Sequence, residues 1–496
     1  MPLTASPDAP SRPAVPLRAG LITAIAAAAQ FMVILDVSIV NVALPSIRAG
    51  IGFSEQGLQW VVSAYTLAFA GFLLLGGRAA DLFGRRRVFL AGVGLFTVAS
   101  VAGALALNGP MLLVARVLQG LGAAIIAPAS LTILSATFPE GPARNKALGV
   151  WGSMAGAGGS VGVLAGGLLT DLLSWEWIFW INVPFGLAVL WLARRHVPEG
   201  AAAARTGGVD LLGAVTVTGG LVALVYGIVR TEAIGWAAPQ TYITFALAAL
   251  LLGAFVLVEA RIASAPLIPL RALASRRVAG ANAVVFLLGA AMFAMWFFLS
   301  LYLQQVLGYS PLEAGLAFLP MSLAIVAGST AASRLVARFG PVAVLVTGMS
   351  MAAIGLGLFT QLTADSSFWI HVLPGSIVLA GGLGLTMVSS TVIGVSGSGP
   401  ADRGLASGLL NSSRMVGGAL GLAILTTVAT ARTSSLLEGR RPTQAAIESA
   451  ATAGYAGAFT VSVALCLLAA VVALVTLRIR DRDRNGEARP EGAALS

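Results

Sequence analysis

The sequence predicts an all-α polytopic membrane protein of fourteen transmembrane helices, arranged as two related six-helix halves with two further helices between them. Three observations carry this: composition, a regular series of apolar runs with alternating flanking charge, and an internal repeat. Of 496 residues, 57% are hydrophobic and 10% charged, with a mean hydropathy of +0.91. Soluble globular chains carry about a quarter charged residues.

Apolar runs of about 20 residues, long enough to cross roughly 30 Å of hydrocarbon, lie near 17–44, 55–76, 88–106, 111–134, 147–169, 176–193, 209–229, 238–259, 278–303, 312–332, 342–362, 370–393, 405–430 and 454–477. The first run is too long for a signal-peptide core and lacks a convincing cleavage site. It is therefore expected to remain as a membrane helix behind a short disordered tail.

Flanking charge tests this parse, because cytoplasmic loops concentrate Lys and Arg. With both termini cytoplasmic, most of the 30 basic residues fall inside, among them Arg78, Arg85, Arg86, Arg87, Arg144, Lys146, Arg194, Arg195, Arg261, Arg276, Arg277, Arg334, Arg338 and the tail arginines. Arg48, Arg230, Arg432, Arg440 and Arg441 fall outside, and Arg116 and Arg414 within spans. The net charge of +10 is thus spread over short loops beside the bilayer. No basic patch suggests a nucleic-acid partner.

"GRAADLFGRRR" (77–87) after the second span parallels "SRLVARFGPVA" (333–343) after the tenth, and "GPARNKALGVWG" (141–152) parallels "GPADRGLASGLL" (399–410). Both pairs recur at nearly the same offset, so spans one to six and nine to fourteen are related. The expected organisation is a cytoplasmic tail (1–16), an N-terminal half (17–195), a linker with two extra spans (196–277), a C-terminal half (278–477) and a basic tail (478–496). Such a plan suggests a transporter with its site between the halves near the midplane.

"LDVSIVNVALP" (35–45), "GRAADLFGRRR" (77–87), "RVLQGLGAAIIAP" (116–128), the glycines 158, 162, 166 and 167, "SWEWIFWINVPFG" (174–186), "LYLQQVLGYSPLEAGLAFLP" (301–320) and "NSSRMVGGALG" (411–421) together resemble the signatures of the fourteen-span drug:proton antiporters of the major facilitator superfamily. The resemblance runs from about residue 20 to 430 and implies the major facilitator fold. It departs in two places: Val163 stands where the family's antiporter pattern has proline, and Glu176 replaces the arginine of the usual SWRW.

Asp36 is the residue that most needs explaining. A carboxylate near mid-membrane is costly unless it faces water or a partner, and desolvation favours its neutral form. It is either a proton-exchanging group or half of a permanent ion pair with Arg116 or Arg414. The resemblance implies the former, with the acid linked to substrate and proton handling. Asn41 lies about 140° further around the helix and is expected to bond between helices.

Arg116 shares a face with Gln119, Gly120 and Ala123 by helical spacing; the resemblance implies proton coupling, and the alternative is an arginine snorkelling to the outer interface. Arg414 either faces the cavity or pairs with Asp36. Tyr65, Gln119 and Asn182 are candidate cavity residues. The 77–87 loop reads as a conformational latch: Gly77 and Gly84 for tight turns, Asp81 for a bond to Arg85 or the opposite half, and Arg85 and Arg86 for the cytoplasmic surface. Gly158, Gly162, Gly166 and Gly167 suit close helix approach, for packing or for gating. "AAMFAMWFFLSLYLQ" (290–304) offers an adaptable apolar wall.

Other chemistries lack their residues. The only lysine, Lys146, lies in no phosphate-binding loop. His196 and His371 belong to no zinc motif, and Cys466 stands alone. The expectation is therefore a non-enzymatic, cofactor-free exporter of lipophilic or amphipathic small molecules. It would work as a monomer in the cell membrane and be driven by the proton gradient. A transporter of one metabolite, peptide or lipid is the alternative, and a membrane sensor without transport a third reading disfavoured by short loops.

Overall fold

The computed structural model describes residues 17–139, 141–199, 210–263, 266–268, 275–395, 403–438 and 443–477. Both tails and the 200–209 part of the linker lie outside the described residues, as do the side chain of Asp81 and the 396–402 stretch of the second repeat.

Among the described residues, fourteen helices are long and apolar enough to span a membrane: α1 (Leu17–Ile51), α2 (Glu55–Phe83), α3 (Arg85–Ala104), α4 (Gly109–Thr137), α5 (Pro142–Leu172), α6 (Trp177–His196), α7 (Leu211–Ile234), α8 (Pro239–Ile262), α9 (Arg276–Val306), α10 (Pro311–Phe339), α11 (Pro341–Phe359), α12 (Phe368–Gly394), α13 (Arg403–Leu437) and α14 (Gln444–Leu477). Several extend past the apolar runs, α1 by seven residues beyond position 44. No strand occurs among the described residues.

Local chemistry sets the ends. Ser54 Oγ accepts the Gly57 N–H at 2.9 Å and Asn108 Oδ1 the Met111 N–H at 2.9 Å, each satisfying an orphan donor of a first turn. Ser310 and Glu313 form a reciprocal capping box at α10, which commits Glu313 to the helix end. Proline opens α5, α8, α10 and α11, where its missing N–H costs nothing.

The halves repeat their packing. In the first, α1 lies on α5, α2 on α4, and α3 on α4 and α6; in the second, α9 lies on α13, α10 on α12, and α11 on α12 and α14. The shared glycine of the 77–87 and 333–343 repeats has one job in both. Gly84 (φ 94°) turns α2 into α3 and Gly340 (φ 79°) turns α10 into α11, conformations that exclude a β-carbon without strain. Gly77 makes no turn; it lies inside α2, with room for a methyl group at 3.4 Å from Pro128 Cβ.

Two seams join the halves, α5 with α10 and α2 with α13. At the end of the bundle opposite the termini, here the distal end, a Cβ on Gly167 would come within 2.5 Å of the Pro311 carbonyl oxygen. Nearby, Ser300 Oγ and Gln304 Nε2 of α9 donate to the carbonyls of Asn41 and Val42 of α1, at 2.6 and 2.9 Å. The halves are thus drawn together distally. The inserted α7 packs Leu221, Val225 and Val229 on Leu67 of α2 and on Ala419 and Ala423 of α13. α8 packs on α7 and leaves Leu247, Leu250 and Val256 exposed, as a lipid-facing helix does.

The aromatic stretch of α9 is largely core. Phe298 meets Tyr455 and Phe459 of α14 with ring centroids 5.4 and 6.2 Å apart, and Phe359 of α11 packs on the same Phe459. Only Trp296, against Phe318 of α10, and a few neighbours are part-exposed.

Candidate functional site: a buried carboxylate cluster

Asp36, halfway along α1, is fully enclosed and meets three donors from two other helices. Arg116 Nη1 of α4 reaches Oδ2 at 2.6 Å, while Gln119 Nε2 of α4 and Asn182 Nδ2 of α6 each reach Oδ1 at 2.9 Å. The three-residue spacing on α4 puts Arg116 and Gln119 on one face, and Arg116 Nη1 also donates to Gln119 Oε1 at 2.9 Å. The guanidinium is itself held from α2: Nε donates to the Val61 carbonyl at 2.9 Å and its carbon sits 4.5 Å from the Tyr65 ring centroid, a cation–π arrangement. Ser100 of α3 accepts the second Gln119 amide hydrogen at 2.9 Å. Five helices of one half therefore converge on a single carboxylate.

Of the sequence candidates, Asp36, Arg116, Tyr65, Gln119 and Asn182 come together. They line no open cavity here: all five are 1% exposed or less. Burial and hydrogen bonding rule out the snorkelling alternative for Arg116 in this conformation. Asn41 bonds differently from expectation, its side chain donating to Val37 O of its own helix at 3.0 Å while its carbonyl accepts from Ser300. Arg414 does not pair with Asp36. Asp36 pairs with Arg116, and Arg414 bonds instead to Asn411 Oδ1 at 2.6 Å.

Ser100 and Phe179, whose ring centroid lies 6.0 Å from the Arg116 guanidinium carbon, were not legible as site residues. A serine among the few polar residues of an apolar span was the available signal for the first.

The glycines of α5 seat the helix that carries Asp36. A Cβ at Gly158 would sit 3.0 Å from Ile34 Cβ, at Gly162 2.8 Å from the Leu35 carbonyl oxygen, and at Gly166 2.7 Å from the Ile39 carbonyl oxygen. Gly167 faces the other way, to α10. The buried Val163 leaves α5 an uninterrupted helix. Glu176, at the turn before α6, has Oε2 buried without a hydrogen bond.

The described polar contacts of the 77–87 segment go to the end of α6 and the start of the linker, none to the second half. Arg86 donates to the Arg194 carbonyl, and Arg87 pairs at 3.2 Å with Glu199 just beyond α6. Arg78 Nε is buried without a partner.

Residues 26–422 match the Major Facilitator Superfamily. The chain belongs to this superfamily. Its superfamily relatives include the puromycin resistance protein pur8 of Streptomyces alboniger, 41% identical over 93% of this chain and 92% of that protein. The cephamycin export protein CmcT of Amycolatopsis lactamdurans is 44% identical over 83% and 85%. The tetracenomycin C resistance and export protein of Streptomyces glaucescens is 34% identical over 94% and 93%. Among solved structures, a D-xylose-proton symporter superimposes with a TM-score of 0.66 at 16% identity, covering 92% of this chain and 97% of that one. An inward-facing, unoccupied bacterial homologue of the lysosomal transporter Spinster gives 0.64 at 17%, covering 95% and 99%. These two establish the superfamily fold.

Proposed function

We propose that the protein is a proton-coupled exporter of lipophilic or amphipathic small molecules, antibiotics and drugs among them. The observation that carries this is the buried Asp36 carboxylate, which has the surroundings of a group that trades partners. With its proton absent, the acid is balanced by Arg116 and hydrogen-bonded by Gln119 and Asn182. When a proton binds an Asp36 oxygen, the charge that holds Arg116 disappears, and a buried cation without a counter-charge is strongly disfavoured. Protonation therefore biases the bundle toward another arrangement of α1 and α4, which a membrane transporter requires to expose its site alternately. Val61 O and the Tyr65 ring keep the guanidinium near its place meanwhile.

The names borne by the relatives support the direction and the cargo: resistance to puromycin, export of cephamycin, resistance to and export of tetracenomycin C. The loop charges support cytoplasmic termini and hence a seal at the outer face in this conformation. We place the protein in the plasma membrane, working as a monomer without a cofactor. The test is uptake of puromycin and a chemically diverse panel into inverted vesicles under an imposed pH gradient, with proton release followed in parallel. Gradient-dependent uptake with matching proton movement is expected; uptake indifferent to the gradient overturns the coupling.

A second reading is export of one defined product. Three relatives are named for one compound each, while another is named a multidrug resistance protein; a panel in which one chemical class alone is transported would establish narrow selectivity.

A further inference from the structure

Arg414 is the charge that the carboxylate cluster leaves over. It lies mid-bundle on α13: its neighbour Ser412 bonds the Ala70 carbonyl, halfway along α2, at 3.2 Å. Gly289 of α9 yields the space through which the Arg414 backbone passes. Ser413 is tied to Asn282 Oδ1 of α9 at 2.8 Å. The helix is thus fixed on both flanks, against α2 and against α9, while the arginine between them is only part-buried.

Its guanidinium is held but not neutralised. Nη2 donates to Asn411 Oδ1, one turn back on the same helix, and Nε is buried with no acceptor. No described carboxylate pairs with it. Neither α9 nor α12 contains an acid. The Asp81 backbone is about 16 Å along α2 from Ala70, beyond the reach of an arginine side chain. Asp36 and Arg116 cancel one another, so among the described residues the mid-membrane interior carries one uncompensated positive charge. Such a charge, partly desolvated, is costly without an anion, and an oxyanion is the partner that a guanidinium binds most strongly.

We propose that Arg414, oriented by Asn411, anchors an oxyanion on the transported molecule: a carboxylate, sulfonate or phosphate attached to an amphipathic body. This deepens the export reading and rests on it for the word transported. Anionic and zwitterionic amphiphiles are favoured, and cations are accepted only where a second group on the molecule meets Arg414.

The experiment is equilibrium binding, without any gradient, to the full chain in nanodiscs, with empty discs subtracted. The probes are 4-octylbenzoate and 4-octylbenzamide, equal in size and differing in charge. Wild type should bind the benzoate at least about tenfold more tightly, the range of a charge-assisted hydrogen bond. Arg414→Gln should bring the two within about twofold and Arg414→Lys should keep part of the preference. Should Arg414→Gln fail to fold, Asn411→Ala takes its place, and it should weaken the preference several-fold. No preference in wild type, or one that survives these substitutions in folded protein, overturns the proposal. The two readings fail separately: preference without gradient-driven flux leaves the subsite and removes the coupling, and flux without preference does the reverse.

Discussion

Gly162 of α5 and Leu35 of α1 are in backbone contact: a Cβ on the glycine would stand 2.8 Å from the Leu35 carbonyl oxygen. The next residue of α1 is Asp36, so the small-residue stripe fixes the height and rotation of the carboxylate. Gly162→Ala should cost about 1–3 kcal/mol, as overpacking does, and lower gradient-driven transport by displacing Asp36 from Arg116. Gly159→Ala, whose Cβ would meet nothing nearer than Ser38 Oγ at 3.8 Å, is the control. Equal transport by both variants would show that the close approach does not position the acid.

Asp36→Asn should abolish proton-driven export and also destabilise the protein, by about 3–5 kcal/mol, because it strands a buried arginine. Adding Arg116→Gln should recover part of that stability without recovering coupling. Thermal unfolding of the two variants in one detergent separates the effects; equal unfolding temperatures would mean that Arg116 finds another partner.

The matching turns at Gly84 and Gly340 should respond alike. Both have positive φ and extended ψ, a region open essentially to glycine, so alanine at either should destabilise by about 1–3 kcal/mol. The Arg87–Glu199 pair beside the first turn is mostly exposed, so Arg87→Ala should change stability by about 1 kcal/mol or less. A large loss there would show that the pair does more than sit at the surface.

The distal seal rests in part on Ser300 and Gln304. Replacing both by Ala removes the side-chain bonds from α9 to α1 and should favour states open at that end. A cysteine at Val42, buried in this conformation, should then react faster with an impermeant maleimide, and the enclosed Cys466 supplies little background. An unchanged labelling rate would place the seal in the α5–α10 contact instead.

Asp81→Ala should slow turnover more than it weakens substrate binding, since the 77–87 segment is remote from mid-bundle. Comparing exchange rate with equilibrium affinity checks this, and loss of affinity alone would remove the latch reading.

Sequence and structure agree where one-dimensional physics suffices. Span length is set by hydrocarbon thickness, so the helices were legible from apolar runs and their grouping from the repeat. Contacts between helices were not. The spacing of Arg116 and Gln119 placed them on one face, but whether Asp36 meets Arg116 or Arg414 depends on how whole helices rotate against one another. Gly77 misled because glycine serves both turns and helix interiors, and only the backbone around it distinguishes them. The end of α1 ran past its apolar stretch because "SIRAG" is polar enough to leave hydrocarbon while still continuing a helix.

The α7 helix breaks the symmetry between the two seams. It straddles α2 and α13, with Thr218 pressed onto Gly71, while among the described residues no inserted helix bridges α5 and α10 in the same way. Any rocking of the halves must therefore drag or slide this strut along one side and not the other. The molecule is built from a duplicated unit, yet its mechanics are lopsided, with one stiffened edge and one bare edge.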